Sequence, residues 1–177
     1  MRTLGLALLL ALAVAVVLPF AIGQSTLDPA LEAQLRQVFP GASSFSTKQS
    51  SPLPHFVAYK GGPNSQTVAG YVFWTTELEP LERGYDGPIK MLVGVDTGAE
   101  LTGVLVTDHR EPYGYFSVEP PEFAEQFVGK DIRDAFKVRE DVDGVSRATI
   151  TITSSSRAIR NGARRIARAL LTPPGAR

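Results

Sequence analysis

The chain has 177 residues, of which 18 are lysine or arginine and 18 are aspartate or glutamate, and it contains no cysteine. This length allows one ordinary domain with a short extra segment. The lack of cysteine excludes disulfides, thiolate-bound iron–sulfur clusters and a cysteine nucleophile. The chain has two histidines, which argues against a histidine-rich metal centre. Its net charge of zero argues against nucleic-acid binding.

The first predicted element is an N-terminal leader over residues 1–23. Arg2 precedes an uncharged apolar run from Leu4 to Ile22, and Ala21 and Gly23 fit the small-residue pattern of a signal-peptidase site. Because about 18 apolar residues also suffice to span a bilayer, an uncleaved membrane anchor fits the same segment. We therefore expect an exported protein, either periplasmic after cleavage behind Gly23 or anchored to the outer face of the cytoplasmic membrane.

Residues 24–54 are predicted to hold one helix followed by a linker. Asp28 suits the capping position of this helix, and Pro29 suits its first turn because proline lacks the N–H that would be unpaired there. The run from Phe39 to Gly41 contains proline and glycine and is expected to end the helix. The Ser-rich residues 42–54 are typical of turns.

Residues 55–171 are predicted to form the main domain, followed by a tail over 172–177. Runs rich in β-branched and aromatic residues indicate four strands: His55–Lys60, Thr67–Thr75, Ile89–Asp96 and Leu101–Asp108. The last two are expected to form a hairpin in which Gly98 takes the positive-φ position. Two helices should follow, one over Pro121–Phe127 and one that begins within Ser154–Ser156 and ends at Leu171. Together these elements predict an α+β fold: a small antiparallel or mixed sheet of hairpins with helices at both ends.

Charge is unevenly distributed along the chain. Residues 77–143 hold 16 of the 18 acidic residues, whereas residues 157–177 contain six arginines and no acid. A solvated helix face is one interpretation of these arginines. Contact with anionic lipid, or with an anionic group of a cofactor, is the other.

The segment from Val95 to Ala99 resembles the catalytic turn of retroviral-type aspartic proteases. In such enzymes two aspartates share a proton and activate water, and a dimer would supply the second one. A tight hairpin, however, needs the same Asp-x-Gly residues. The hydrophobic-hydrophobic-Gly-Arg segment of those proteases is also missing downstream. We therefore favour a hairpin turn and keep hydrolysis through Asp96 as a third hypothesis.

Residues 141–157 read DVDGVSRATITITSSSR, a run of small and hydroxyl residues before a helix that suits a phosphate. Within this run, Asp143–Thr151 resembles the flavinylation motif Asp-x-x-Ser/Thr-Gly-Ala-Thr/Ser-x-Thr of the FMN-binding domain family. That family includes exported flavin subunits of the Rnf and sodium-pumping NADH:quinone reductase complexes and the periplasmic domain of nitrous-oxide reductase regulators. Further family segments are matched in the same order by Gly84–Ile89, Leu101–Val106, His109–Pro112 and Phe123–Gly129. The resemblance covers about residues 84–168.

The resemblance implies that FMN is attached through its phosphate to the hydroxyl of Thr149. An FAD-dependent, Mg²⁺-requiring flavin transferase would install the ester and release AMP. The other residues that the motif places at the cofactor are Ser146, Arg147, Ala148 and Thr151, with Ser146 and Thr151 expected to bind the phosphate. The family's second loop near the flavin corresponds to Glu111, Pro112, Tyr113 and Gly114, and Tyr113 is expected to stack on the ring.

One departure from the family pattern is Arg147, which stands where the family usually has glycine. Arginine there either crowds the transferase or pairs with the phosphate. Our sequence-based hypothesis is an exported FMN module that transfers electrons with membrane-bound redox partner proteins, and we favour such a module over a stand-alone enzyme. The alternative is a sensory or assembly domain of the same fold that carries no flavin.

Overall fold

The computed structural model describes residues 27–62 and 66–171. The predicted leader at 1–23 and the predicted tail at 172–177 lie outside the described residues. None of the helices in the described ranges is both long and apolar enough to cross a bilayer.

The described chain forms one five-stranded antiparallel sheet in which neighbouring strands follow one another along the chain. The strands are β1 (Ser44–Phe45), β2 (Phe56–Lys60), β3 (Thr67–Trp74), β4 (Lys90–Asp96) and β5 (Leu101–Asp108). The helices are α1 (Pro29–Val38), α2 (Thr75–Leu78), α3 (Gly114–Ser117), α4 (Pro121–Glu125) and α5 (Thr149–Ile166), and a π-helical turn (Ala167–Leu171) continues α5. The predicted α+β class, with a helix at each end of the domain, is confirmed.

The core lies in two layers, one on each face of the sheet. Successive side chains of a strand point to opposite faces, and β4 shows both layers. Met91 and Val93 pack in a cluster with residues of α5, whereas Leu92 packs in a second cluster with residues of α1. Because both faces are covered, β4 reads as a nearly continuous apolar run and not as an alternating one.

Helix α1 begins where its sequence predicts. The Asp28 carboxylate accepts the N–H groups of Ala30 at 2.9 Å and Leu31 at 3.1 Å, and Pro29 occupies the first helical position. These bonds satisfy donors that have no partner inside the helix. The four residues 28–31 are therefore sufficient to determine where α1 begins.

The other end of α1 is held close to the sheet by a pair of glycines. Gly94 of β4 is paired with Gly103 of β5, and a Cβ at Gly103 would lie only 2.7 Å from the Val38 carbonyl oxygen. The Thr102 hydroxyl donates to the same oxygen at 2.7 Å. The end of α1 thus lies against β4 and β5 at a distance that only glycine permits at these positions.

The turn between β4 and β5 differs from the prediction in one detail. The residue with positive φ is Ala99, at 70°, and not Gly98. Three residues, 97–99, lie between Asp96 and Glu100, which are joined by a backbone hydrogen bond, and such loops usually place the left-handed conformation at their last residue. The Asp96 carboxylate accepts the Glu100 N–H at 2.9 Å. This hydrogen bond stabilises the turn, in agreement with the hairpin interpretation.

Helix α5 begins at Thr149, five residues before the predicted start in Ser154–Ser156. The run of β-branched residues after Ala148 has low helix propensity and favoured a loop in the prediction. Ile152 and Thr151 are buried in the structure, and this tertiary burial outweighs the local preference. As a result Thr149 is the first residue of a helix rather than part of a loop.

Most arginines of α5 are bound within the molecule. Arg157 pairs with Glu82 at 2.9 Å, and Arg165 pairs with Glu79 at 2.5 Å. Arg160 donates to the Ala135 carbonyl, and Arg164 donates to the carbonyls of residues 132, 133 and 134. These side chains therefore tie α5 to two loops, while the side chains of Arg157 and Arg165 remain about half exposed to solvent.

The loop over residues 136–142 is organised by Asp141. This carboxylate accepts the N–H of Phe136 at 2.9 Å, the N–H of Lys137 at 2.6 Å and the ammonium of Lys130 at 3.3 Å. Burial acts to raise the pKa of Asp141, but the hydrogen bonds from Lys137, Phe136 and Lys130 outweigh it, so the pKa is lowered.

We expect Asp141→Asn to lower the free energy of unfolding by about 2 kcal/mol at pH 7, because hydrogen bonds to a charged group are lost. The pKa of Asp141 is lower in the folded chain than in the unfolded chain, where it is about 4. The carboxylate therefore stabilises the fold above pH 4, and this stabilisation is lost as the pH falls through the pKa of the folded state. Urea unfolding at pH 7 and at pH 3 tests this. The exposed Glu140→Gln serves as control, and its free energy of unfolding should differ little from that of the wild type at either pH. If the loss of stability in Asp141→Asn is as large at pH 3 as at pH 7, the role given to the Asp141 carboxylate is contradicted.

Candidate functional site

A buried carboxylate connects three segments of the chain. The Glu111 side chain is only 6% exposed. Its Oε2 accepts the Tyr85 N–H at 2.9 Å, its Oε1 accepts the Asp86 N–H at 2.9 Å, and the Thr151 hydroxyl donates to Oε2. Glu111 therefore links the loop before β4, the loop after β5 and the first turn of α5.

The loop after β5 is shaped by His109. Its Nδ1 accepts the Glu111 N–H at 3.1 Å, so the ring proton lies on Nε2, which is 3.2 Å from the Glu119 carboxylate. A Cβ at Gly114 would lie 2.0 Å from Cε1 of the same ring. The predicted site residue Gly114 is thus buried, and a glycine is needed there to admit the histidine.

The loop before β4 is built on two glycines. The Gly84 N–H donates to the Gly87 carbonyl at 2.7 Å, and Gly87 has a φ of 124°. A Cβ at Gly84 would lie 2.5 Å from Oε1 of Glu111. The tight turn thus brings the backbone onto the carboxylate while the side chain of Tyr85 stays 71% exposed.

The start of α5 lacks the usual capping group. The N-cap position is occupied by Ala148, no side chain accepts a hydrogen bond from the first turn, and this turn contains no acidic residue. Thr149 lies at the first helical position and is exposed. Unpaired N–H groups and the helix dipole favour an anion at such an end. The arrangement fits a phosphate carried by the Thr149 hydroxyl.

Arg147 adopts the left-handed conformation, with a φ of 69°. This conformation costs a residue with a side chain about 1 kcal/mol, whereas glycine adopts it freely. The backbone therefore explains why glycine is the usual residue at this position of the motif. Arg147 is exposed and stands two residues before Thr149.

We expect Arg147→Gly to raise the free energy of unfolding by up to ~1 kcal/mol, because relief of the strained φ exceeds the entropy that glycine adds to the unfolded chain. The neighbouring Ser146→Gly should lower stability instead, since Ser146 is not among the positive-φ residues. Thermal or urea unfolding of both variants makes the comparison. A loss of stability for Arg147→Gly as large as that for Ser146→Gly would contradict the strain argument.

The predicted site residues divide into an exposed and a buried group. The exposed group consists of Pro112, Tyr113, Ser146, Arg147 and Thr149. The buried group consists of Glu111, Gly114, Ala148 and Thr151. The structure gives Thr151 a different role from the expected phosphate contact, because its side chain is 3% exposed and its hydroxyl donates to Glu111. The Tyr113 ring lies 5.3 Å from the Phe116 ring and remains partly exposed.

Three residues of the site were not among the predicted ones. Tyr85 and Asp86 donate their N–H groups to Glu111, and Ile150 follows Thr149 with 57% of its surface exposed. The Gly-x-x-Gly turn at residues 84–87 was the available signal for the first two. Exposed Tyr85, Tyr113 and Ile150 give the margin of the site apolar surface suited to a flat aromatic ring.

The chain is similar to known proteins over part of its length. Residues 84–167 match the family model described as FMN-binding domain. The chain is 33% identical over 88 residues to a subunit of the ion-translocating oxidoreductase complex of Vibrio vulnificus, a match that covers 44% of this chain and 42% of that protein. It is 33% identical over 122 residues to the protein of the same name from Shewanella baltica, covering 63% of this chain and 53% of that protein. The chain thus spans about half the length of these relatives.

Proposed function

We propose that the chain is an exported flavoprotein module that carries FMN as a phosphoester on Thr149, and the match of residues 84–167 to the family model described as FMN-binding domain supports this. It transfers electrons within a membrane-associated redox chain. The observation that carries the proposal is the position of Thr149, exposed at the start of an 18-residue helix that has no capping side chain.

Attachment requires a nucleophilic oxygen and a place for the phosphate charge. The Thr149 oxygen forms the new bond to phosphorus, the pyrophosphate bond of FAD breaks, AMP leaves, and the hydroxyl proton is released. The free N–H groups at the start of α5 and the helix dipole stabilise the phosphate. The exposed guanidinium of Arg147 supplies a further positive charge two residues away.

The remaining site residues hold the surroundings in place. Glu111 fixes the loop that presents Tyr85 and, through Thr151, fixes the first turn of α5. Tyr113 lies on the loop that follows Glu111 and offers a second exposed ring. The bound flavin supplies the redox chemistry, and the protein holds the flavin in position and sets the electrostatic field around it.

Export and partners follow from the leader and from the relatives. The apolar segment at residues 1–23 supports delivery to the periplasm or the outer face of the cytoplasmic membrane. The relatives are named as subunits of an ion-translocating oxidoreductase complex. We propose by analogy that membrane-bound redox proteins exchange electrons with this chain and that a flavin transferase modifies it.

The test is to produce the full chain with and without a co-expressed flavin transferase and to precipitate the purified protein with acid. Flavin absorbance that stays with the pellet only in the presence of the transferase supports a covalent bond. Flavin that remains in the supernatant contradicts covalent attachment and leaves a non-covalent FMN domain. Absence of flavin from both fractions favours the sensory or assembly alternative, in which Arg147 blocks the modification.

A further inference from the structure

Strand β5 is the last strand of the sheet, and most of its outer edge has no partner. At its start, the Leu101 N–H donates to the Lys130 carbonyl at 2.9 Å and the Leu101 carbonyl accepts from the Gly129 N–H at 2.8 Å. From Thr102 to Asp108, no backbone group bonds outside the sheet to any residue that the structure describes. An open edge of this kind is a template for an additional strand.

A groove of about 810 Å³ runs along this edge. Its floor is formed by residues 102–109, one wall by Gln37 and Pro40 at the end of α1, and the other wall by residues of the segment 118–128, which contains α4. Apolar side chains on the floor and walls are Val104, Val106, Val118, Ala124 and Val128. We call this feature the β5 groove. An extended chain added to β5 would place alternate side chains against the two walls.

The charges in the β5 groove have one sign. Its ionisable lining residues are Asp108, His109, Glu119 and Glu125, and it includes no lysine or arginine. His109 faces Glu119, whereas Asp108 and Glu125 form no ion pair with any residue in the described parts of the chain. Asp108 lies opposite Lys90 in the sheet, but the groove lining itself carries only acidic charges, and acidic side chains beside an open strand edge favour an occupant with basic side chains.

We propose that the β5 groove binds an extended segment of a partner protein that carries lysine or arginine and adds to β5 as a sixth strand. The main-chain groups of β5 supply binding energy, and the acidic side chains of the groove, Glu125 foremost, select basic side chains. This surface does not depend on flavin attachment. It ends at His109, which accepts a hydrogen bond from the Glu111 N–H, so a bound segment lies next to the candidate flavin site.

The probe is a labelled peptide, Lys-Val-Lys-Val-Lys-Val-Lys, titrated against the full chain and followed by fluorescence anisotropy and by amide NMR. We expect saturable binding with the largest shifts at the amides of residues 102–108. A matched peptide with glutamate in place of lysine should bind at least about tenfold more weakly, equivalent to 1.4 kcal/mol. A third peptide with methyl groups on alternate backbone nitrogens should also lose binding, because it lacks donors for β5.

Two charge reversals on α4 provide the protein-side control. Glu125→Lys is expected to weaken binding of the lysine peptide about tenfold, whereas Glu122→Lys, on the same helix but outside the groove lining, should change it less than twofold. Equal effects of the two reversals, unchanged binding of the methylated peptide, or shifts centred away from β5 would overturn the proposal. Concentration-dependent self-association that the peptide disrupts would assign the groove to a second copy of the chain and would also overturn it.

Discussion

Thr149→Ala is expected to emerge from co-expression with a flavin transferase without the mass of one FMN that the wild-type chain gains. The substitution removes the hydroxyl at the exposed first position of α5 and leaves the rest of the site in place. The next hydroxyl in this turn, on Thr151, is buried and bound to Glu111, so it is not available as a substitute. Intact mass spectrometry of both proteins gives an all-or-none readout.

Three variants separate attachment from folding. Thr149→Ser keeps a hydroxyl and should retain modification, whereas Thr153→Ala, one turn further along α5, should leave the added mass unchanged. Thr149→Ala lies at an exposed position and is expected to change the free energy of unfolding by no more than ~0.5 kcal/mol. A Thr149→Ala protein that still gains one FMN would contradict the assignment and direct attention to Ser146.

Arg147 supplies the decisive comparison if the wild type remains unmodified. Arg147→Gly restores the residue that is usual in the motif and releases the positive φ at this position. Modification of Arg147→Gly but not of the wild type would show that the arginine blocks the transferase. Modification of neither would remove covalent attachment from the proposed function. Flavin in the supernatant after acid precipitation would then indicate FMN bound without a covalent link, and absence of flavin would favour the sensory or assembly alternative.

Features set by short-range signals could be predicted from the sequence. The start of α1 depends on Asp28 and Pro29, and β5 occupies the predicted range Leu101–Asp108 because its residues favour a strand and turn residues precede it. Each of these features is determined by residues within a few positions of one another.

Features set by distant contacts could not be predicted in this way. The two-residue strand β1 exists because Ser44 and Phe45 pair with Tyr59 and Ala58 of β2, and the Ser-rich segment around it reads as a turn. The early start of α5 depends on burial of Thr151 and Ile152 beneath other elements. The hydrogen bond between Glu111 and Thr151 joins residues 40 positions apart, and no local pattern indicates it.

Glu111→Gln is expected to lower the free energy of unfolding by about 2 kcal/mol, since it leaves a buried donor without an acceptor. In the wild type, Oε1 accepts one N–H and Oε2 accepts both an N–H and the Thr151 hydroxyl. The glutamine amide has one oxygen, so in either orientation its NH₂ group faces the N–H of Tyr85 or of Asp86. The loop over residues 84–87 should therefore detach from the site.

Amide hydrogen exchange at Tyr85 and Asp86, together with urea unfolding, distinguishes this local effect from a general loss of stability. Exchange at these two amides should accelerate more than exchange in β4, because their acceptor is the altered group. The exposed Glu119→Gln serves as the matched control. It changes a carboxylate of the same loop region that pairs with His109 at the surface, and it should cost less than about 1 kcal/mol.

A double-mutant cycle with Thr151→Val tests the contact itself. Valine keeps the shape of threonine but cannot donate to Glu111, and glutamine offers the Thr151 hydroxyl at best a neutral acceptor. Both single substitutions therefore weaken the same hydrogen bond, and their effects should not fully add. We expect the double variant to be about 1 kcal/mol more stable than additivity implies. Strict additivity would mean that Glu111 and Thr151 act independently, and the first turn of α5 would then owe its position to the packing of Ile152 alone.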